Sequence, residues 1–437
     1  MQTDSKKLES QLSFLNLWKA NGARGSLVAV TGYGKTTVGV LAIQDMNQHH
    51  PERETHVIVP TIVLKKQWEE HIQLWSLKNV EVFVINTYIR KNRYTHLLLL
   101  DELHRYGSRT FSKVFSSTQF QFVLGLTATI ERQDGNHLLI ERYAPVLRTI
   151  GLNEALKQGY VSDFIVFNLG VELTTTEMEE YNEITRLFNH HFSMFGNDFN
   201  KVMNALKSRS YRGYLSSISG KSAQDIQADA ARFIQIMQKR KTFLNSLPSK
   251  LDTVREIFDK IDRKMIVFSE TIGFADKVVE CIGSESFAYH TGSKNKKEMK
   301  SHLNQFKSNQ QFRLLSAVRS LEEGLDIPDL EVAILVSGNS TKRQYIQRIG
   351  RSLRAKPGKT AIIINIFINE TKDENWLRAR QFANEINVIR VNSVSQIRDY
   401  VNPVIHGHSV EGKSDQHQYN PFHYSGTDFN PFQYESS

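Results

Sequence analysis

Two short strings in the chain carry groups suited to work on a phosphoanhydride. SLVAV (26–30) runs directly into TGYGKTTVGVLAIQDM. A strand, a glycine loop and a helix in that order make a phosphate cradle. Gly32 and Gly34 let backbone N–H groups close on the oxygens, and the N-terminus of the following helix favours negative charge. In this reading Thr31, Gly32, Tyr33, Gly34, Lys35, Thr36 and Thr37 line the nucleotide. Lys35 reaches the β- and γ-phosphates, and the Thr36 hydroxyl ligates Mg²⁺. The common spacing has glycine six residues before the lysine, where this chain has Ala29, so the loop taken alone also fits a plain glycine turn. The second string is HLLLLDELH, which sets Asp101 and Glu102 at the carboxyl end of an apolar run. In a doubly wound sheet that is the edge where ligands bind. Asp101 suits Mg²⁺ held through its water shell, and Glu102 suits the orienting or deprotonating of an attacking water. An acidic pair alone is usually a cap or a solvated turn; one that follows a phosphate loop in strand context is not.

The elements that must position these groups are legible as apolar runs. The first set is 26–30, 56–60, 80–85, 96–101 and 122–127; the second is 264–268, 312–316, 331–336 and 360–366. Runs without polar alternation predict strands buried on both faces, and strands alternating with helical stretches predict parallel sheets covered by helices. The expectation is an α/β chain of two tandem lobes. Between them, MEEYNEITRLFNHHF and AQDIQADAARFIQIMQKRKTFL repeat apolar positions at three and four and predict a helical insert. The domains expected are 1–150, a connector and basic insert over 151–250, a second lobe over 251–400, and a disordered tail over 401–437.

With these two sites the chain resembles the superfamily 2 helicases of the DExH-like branch, over about residues 11–366. Gln11 stands where that family has an adenine-reading glutamine. AVTGYGKTT is similar to motif I, whose starting alanine accounts for Ala29, and DELH to motif II. VPTIVLKKQW (59–68) resembles motif Ia, NTY (86–88) a compressed Ib, and TAT (127–129) motif III. IVFSE (266–270), SAVRSLEEGLDIP (316–328) and QRIGRSLR (347–354) resemble motifs IV, V and VI. The resemblance implies two RecA-like domains that use ATP with Mg²⁺. It implies catalytic roles for Lys35, Asp101, Glu102, Gln347, Arg351 and Arg354, the arginines serving as fingers for the γ-phosphate. It adds Gly324 and Asp326 to the ATP site and gives His104, Thr127 and Thr129 the coupling of hydrolysis to lobe movement. It also implies backbone contacts to a nucleic-acid strand at Pro60, Thr61, Thr87, Tyr88, Ser269, His290, Thr291 and Gly292. Two departures stand out. Val318 replaces a threonine that in many members touches the nucleic-acid backbone, and little sequence precedes Gln11, where fork-remodelling relatives often carry a DNA-binding domain.

The segments 159–181 and 246–254 look most like UvsW, XPB and restriction-enzyme motors. The expected activity is therefore ATP-dependent unwinding or remodelling of duplex, forked or branched DNA, with a phage UvsW-like branch-migration helicase the nearest suggestion. An RNA helicase is the alternative within enzymes, and a non-hydrolysing ATP-binding clamp or assembly factor the alternative outside them.

Composition sets outer limits. Of 437 residues 40% are hydrophobic and 23% charged, which excludes a wholly disordered or fibrous chain. One cysteine, Cys281, excludes an internal disulfide and a thiolate metal cluster. No apolar run is long enough to span a bilayer and no secretory signal opens the chain, so a cytoplasmic location is expected, the host's if the protein is phage-encoded. The net charge of +9 admits a polyanionic partner. Its densest part is 200–250, with ten Lys/Arg against Asp225 and Asp229. There Lys207, Arg209, Tyr211, Arg212 and Lys241 interleave cations with aromatics and are expected to grip duplex or act as a separating wedge. The tail repeats NPFHY and NPFQY, a pattern that suits a docking peptide for a protein partner.

Overall fold

A computed structural model describes residues 2–130, 134–161, 163–290, 296–308, 311–318, 327, 330–337, 360–380 and 388–401. The first sheet has six strands: β1 (Arg24–Ala29), β2 (Thr55–Val59), β3 (Val80–Val84), β4 (Arg93–Asp101), β5 (Thr118–Thr127) and β6 (Val146–Ile150). Their order is β3-β2-β4-β5-β1-β6, and every neighbouring pair is parallel. Such a sheet is covered on both faces, which is why Leu97, Leu98, Leu99 and Leu100 follow one another without a polar break and are all fully buried. The register sets Val28 beside Thr127, and Asp101 beside Leu126. The carboxyl ends of β1, β5 and β4 therefore lie side by side, and the phosphate loop, TAT and DELH leave the sheet from one edge.

Three helices matter for that edge. α1 (Gln2–Ala20) buries Phe14, Leu15 and Trp18, and the Trp18 indole donates to the Val123 carbonyl at 2.9 Å. α2 (Lys35–His49) follows the phosphate loop, and α3 (Ile62–Leu74) follows β2 with Thr61 as its side-chain N-cap.

The second sheet has seven strands: β7 (Phe164–Val171), β8 (Met265–Ser269), β9 (Ser286–Tyr289), β10 (Leu314–Val318), β11 (Val332–Leu335), β12 (Ala361–Ile368) and β13 (Val388–Val391). The order is β13-β7-β12-β11-β8-β10-β9, and the run from β12 to β9 is parallel. All eight residues of β12 are buried, and inside this sheet the Asn365 amide donates to the Asn168 side-chain carbonyl of β7 at 2.8 Å. The chain is thus two parallel-sheet α/β lobes, as its apolar runs predict. Four strands are not among the apolar runs read from sequence. In β6 the run is broken by Arg148, whose guanidinium leaves the sheet to donate to the Ser10 carbonyl and the Ser13 hydroxyl of α1. β9 and β13 are four residues each, and β7 lies before the helical insert rather than among the strands it joins.

Residues 170–261 and 391–401 belong to a separate compact unit. It is helical over Thr175–Ser193, Phe199–Lys207, Arg209–Ser219, Ala223–Asn245, Pro248–Lys260 and Val394–Val401. Phe233 anchors its core, stacked on Phe192 with centroids 4.9 Å apart and packed on Phe188 at 5.0 Å. A capping box starts the first helix: Thr174 and Glu177 satisfy each other's backbone N–H. The second Glu177 oxygen accepts the Ser249 N–H at 3.0 Å, joining that helix start to the start of Pro248–Lys260.

Candidate functional site

The phosphate loop turns on Gly32 (φ 94°) and Gly34 (φ 89°), left-handed conformations that a side chain would resist. The Lys35 ammonium folds back onto the Ala29 carbonyl at 3.0 Å, and Thr36 and Thr37 lie in the first turn of α2. Gln11 is 3% exposed; its amide donates to the Tyr33 carbonyl at 2.9 Å and reaches the Gly34 carbonyl at 3.4 Å. In this structure, then, Gln11 braces the loop backbone. One turn earlier on α1, Lys7 donates to the Gly32 carbonyl at 2.6 Å, and Ser10 shares a 2.8 Å hydrogen bond with the Tyr33 hydroxyl. Tyr33 is itself fully buried, its ring edge-on to Tyr160. Burial pushes its phenol above the ordinary value. Lys7 and Ser10 were not among the residues picked out by motif; the signal for them is helical phase, since they lie one turn and one residue before Gln11.

The acidic pair sits at the end of β4. Asp101 is 7% exposed; its Oδ1 accepts the Glu102 backbone N–H at 3.0 Å and its Oδ2 accepts the Trp68 indole N–H at 2.9 Å. Glu102 has φ 53° and ψ 52°, a left-handed conformation that costs a non-glycine residue on the order of 1–3 kcal/mol and ends the strand there. His104 and Thr127 are 1% and 0% exposed. The Thr127 hydroxyl donates to the Thr129 carbonyl at 2.7 Å, so its single proton is spent there. The 2.9 Å contact with His104 Nδ1 must then be a donation by the imidazole, which fixes that tautomer. His104 Nδ1 also lies 3.5 Å from Glu102 Oε2. DELH and TAT are therefore one connected set.

The remaining picked-out positions fall into three groups. Gly324, Asp326, Gln347, Arg351, Arg354, Thr291 and Gly292 lie outside the described residues, as does the repeat of the tail. Among the strand-contact candidates, Pro60 is buried, Thr61 is half-buried and Thr87 is exposed. Tyr88 is fully buried, its hydroxyl 2.9 Å from His56 Nδ1 and its phenol pushed up to about 12 by burial. Ser269 is buried with its hydroxyl on the Thr271 carbonyl, and His290 pairs with Asp276 at 2.8 Å. The side chains of Tyr88, Ser269 and His290 are thus engaged within the protein.

In the insert, Lys207 and Arg209 are exposed while Tyr211 and Lys241 are half-buried. Arg212 is occupied: its guanidinium donates to the Ala205 and Leu206 carbonyls at 2.9 and 3.0 Å, closing the end of Phe199–Lys207. Arg240 and Lys250 are buried at 8% and 0% exposure, and Arg240 lies 3.6 Å over the Phe188 ring. The local excess of charge is therefore smaller at the surface than in the sequence. Among the described residues no group of three or more His, Cys, Asp or Glu side chains is placed to hold a metal ion by itself, and no helix is long and apolar enough to cross a membrane.

Comparison with known proteins agrees with this geometry. Residues 4–96 match the family described as type III restriction enzyme, res subunit, and residues 249–356 match the helicase conserved C-terminal domain. A relative named DNA 3'-5' translocase XPB2, from Sulfurisphaera tokodaii, is 28% identical, with 82% of this chain and 81% of that protein covered. The general transcription and DNA repair factor IIH helicase/translocase subunit XPB of Enterocytozoon bieneusi is 24% identical over 84% of this chain, which spans 59% of that subunit's length. Among solved structures, the Hef helicase domain of Pyrococcus furiosus superposes with a TM-score of 0.56 at 15% identity, covering 85% of this chain and 98% of that one. A restriction-type motor segment carrying the phosphate loop, a helicase C-terminal segment after it, and XPB-type relatives along most of the length make the chain similar to the ATP-hydrolysing superfamily 2 helicases.

Proposed function

We propose that the chain is an ATP-driven motor on DNA that unwinds or remodels duplex, forked or branched substrates. The observation that carries this reading is the continuous set Lys35, Asp101, Glu102, His104 and Thr127 along the adjoining ends of β1, β4 and β5. Nucleotide use follows from the helicase lobes, and Mg²⁺ is the finer step. The donors offered are the Asp101 carboxylate and the Thr36 hydroxyl, hard oxygens of the kind Mg²⁺ takes together with water and phosphate. When bound, the ion would polarise the phosphates. The chain's own part is to grip the phosphates with Lys35 and the loop N–H groups, and to aim a water with Glu102. Gln347, Arg351, Arg354, Gly324 and Asp326 are proposed to complete the site. DNA is favoured because relatives along most of this length are named as a DNA 3'-5' translocase and a DNA 3'-5' helicase, and movement from 3' to 5' is proposed on the same ground.

The test is ATPase stimulation across single-stranded DNA, duplex, fork, four-way junction and RNA, with Lys35→Ala and Glu102→Gln as comparisons. Stimulation by DNA, strongest with forks or junctions, is expected, and both variants should lose about 10²-fold or more in kcat. Stimulation by RNA alone would reverse the substrate. A wild-type rate no higher than that of the variants on every polynucleotide would make the chain a clamp.

A further inference from the structure

One buried side chain bridges the acidic pair and the helix that follows the phosphate loop, and it has no part in the reading above. Trp68, in the middle of α3, is 1% exposed, and its indole N–H holds Asp101 Oδ2 at 2.9 Å. The far edge of the ring presses on α2: a Cβ added at Gly39 would lie 2.6 Å from Trp68 Cη2. Gly39 stands inside α2, where glycine costs about 1 kcal/mol relative to alanine, so the helix gives up stability at a position that lets the ring in. Core packing alone would explain a buried indole, which takes whatever acceptor is near. Here the acceptor is the carboxylate at the phosphate edge, and each of its oxygens takes a donor, Oδ1 the Glu102 N–H and Oδ2 the Trp68 N–H. Two donors on two oxygens fix the rotation of the carboxylate about its bond to the strand.

We propose that Trp68 is a positioning residue for Asp101: its N–H sets the plane of the carboxylate that faces Mg²⁺, and its ring fixes that plane relative to the phosphate-loop helix. The inference rests on Asp101 being the metal-side carboxylate. Trp68→Phe keeps a ring and removes the N–H. Trp75→Phe, at the exposed end of the same helix, is the control. The measurements are kcat and KM for ATP, the Mg²⁺ concentration at half-maximal rate, and ADP affinity by calorimetry with Mg²⁺ and with EDTA. Loss of a partner that orients a metal ligand typically costs 10–100-fold, so W68F should lose about tenfold in kcat and require several-fold more Mg²⁺. ADP affinity in EDTA should be unchanged, while the tightening that Mg²⁺ brings should shrink. Gly39→Ala presses the ring from its other edge and should shift the Mg²⁺ requirement in the same direction. A W68F enzyme with the wild-type Mg²⁺ profile, or one that loses ADP affinity equally with and without Mg²⁺, overturns the proposal. Asp101→Asn separates the two readings. If it still hydrolyses ATP, the site assignment fails; if it is inactive while W68F matches wild type, only the positioning role fails.

Discussion

Thr127 shows how little a single side chain need do to join two motifs. Its hydroxyl has one proton, given to Thr129, and an oxygen that receives His104, so DELH and TAT share that atom. Thr127→Val keeps the shape and removes it. The exchange leaves the buried imidazole without that acceptor, at a cost of about 1–3 kcal/mol. Nucleotide affinity should hold within about twofold, while DNA-stimulated hydrolysis falls about tenfold, the kinetic equivalent of about 1.4 kcal/mol. Equal stimulation in wild type and T127V, measured at saturating ATP and DNA, would remove Thr127 from the coupling. Residues of this kind were legible because their types and spacing name a chemistry: a lysine after glycines, and carboxylates after an apolar strand. Trp68 was not. A tryptophan in an amphipathic helix carries no sign of its acceptor until β4 brings Asp101 to it, and the odd glycine at position 39 is the nearest thing to a signal in the sequence. Nor could Gln11 be read in full, since its partners are backbone carbonyls, which no side-chain motif records.

At the scale of elements, legibility followed burial. Strands covered on both faces, such as β4 and β12, announce themselves as unbroken apolar runs, whereas β6 hides behind an arginine that serves α1. The helical insert was readable from its period, but the duties of its cations were not. Arg212 illustrates the difference. Sequence alone sets it beside tyrosines as a phosphate contact, yet its guanidinium closes the end of the Phe199–Lys207 helix, where the last carbonyls have no partner of their own. Arg212→Met should therefore act on stability. Two charge-assisted hydrogen bonds from a half-buried group are worth about 1–3 kcal/mol together after allowance for solvent. A fall of several degrees in the thermal midpoint is expected, about 4–8 °C per kcal/mol for a unit of roughly 100 residues. DNA affinity measured well below that midpoint should stay within about twofold of wild type, the range left to a removed exposed charge. Affinity that collapses with an unmoved midpoint would return Arg212 to the DNA face.

For the molecule as a whole, the +9 charge becomes a question of where cations are free to release counterions from a nucleic acid. In the insert, Arg240 and Lys250 are buried, Arg212 is a cap, and Lys221 is paired with Asp229 at 2.6 Å. The exposed pair Lys207 and Arg209, at the junction of two helices, is the best placed remainder. If both meet phosphates, the double reversal Lys207→Glu and Arg209→Glu changes more than affinity at one salt concentration. Each phosphate contact contributes about 0.9 to the slope of log K against log salt on duplex and about 0.7 on single strands. The slope should therefore flatten by about 1.4–1.8, while the ATPase rate at saturating DNA is preserved. A bracket whose cations merely face water predicts something different: parallel salt lines, with at most a small offset from the altered net charge. A wedge predicts a third pattern, in which the slope flattens little but unwinding of a fork falls and ATP hydrolysis on single strands does not. Titrating duplex and single-stranded DNA over 50–200 mM salt, beside a fork-unwinding assay, separates the three in one set of proteins, because grip is read in the slope, separation in unwinding, and the plain bracket in neither.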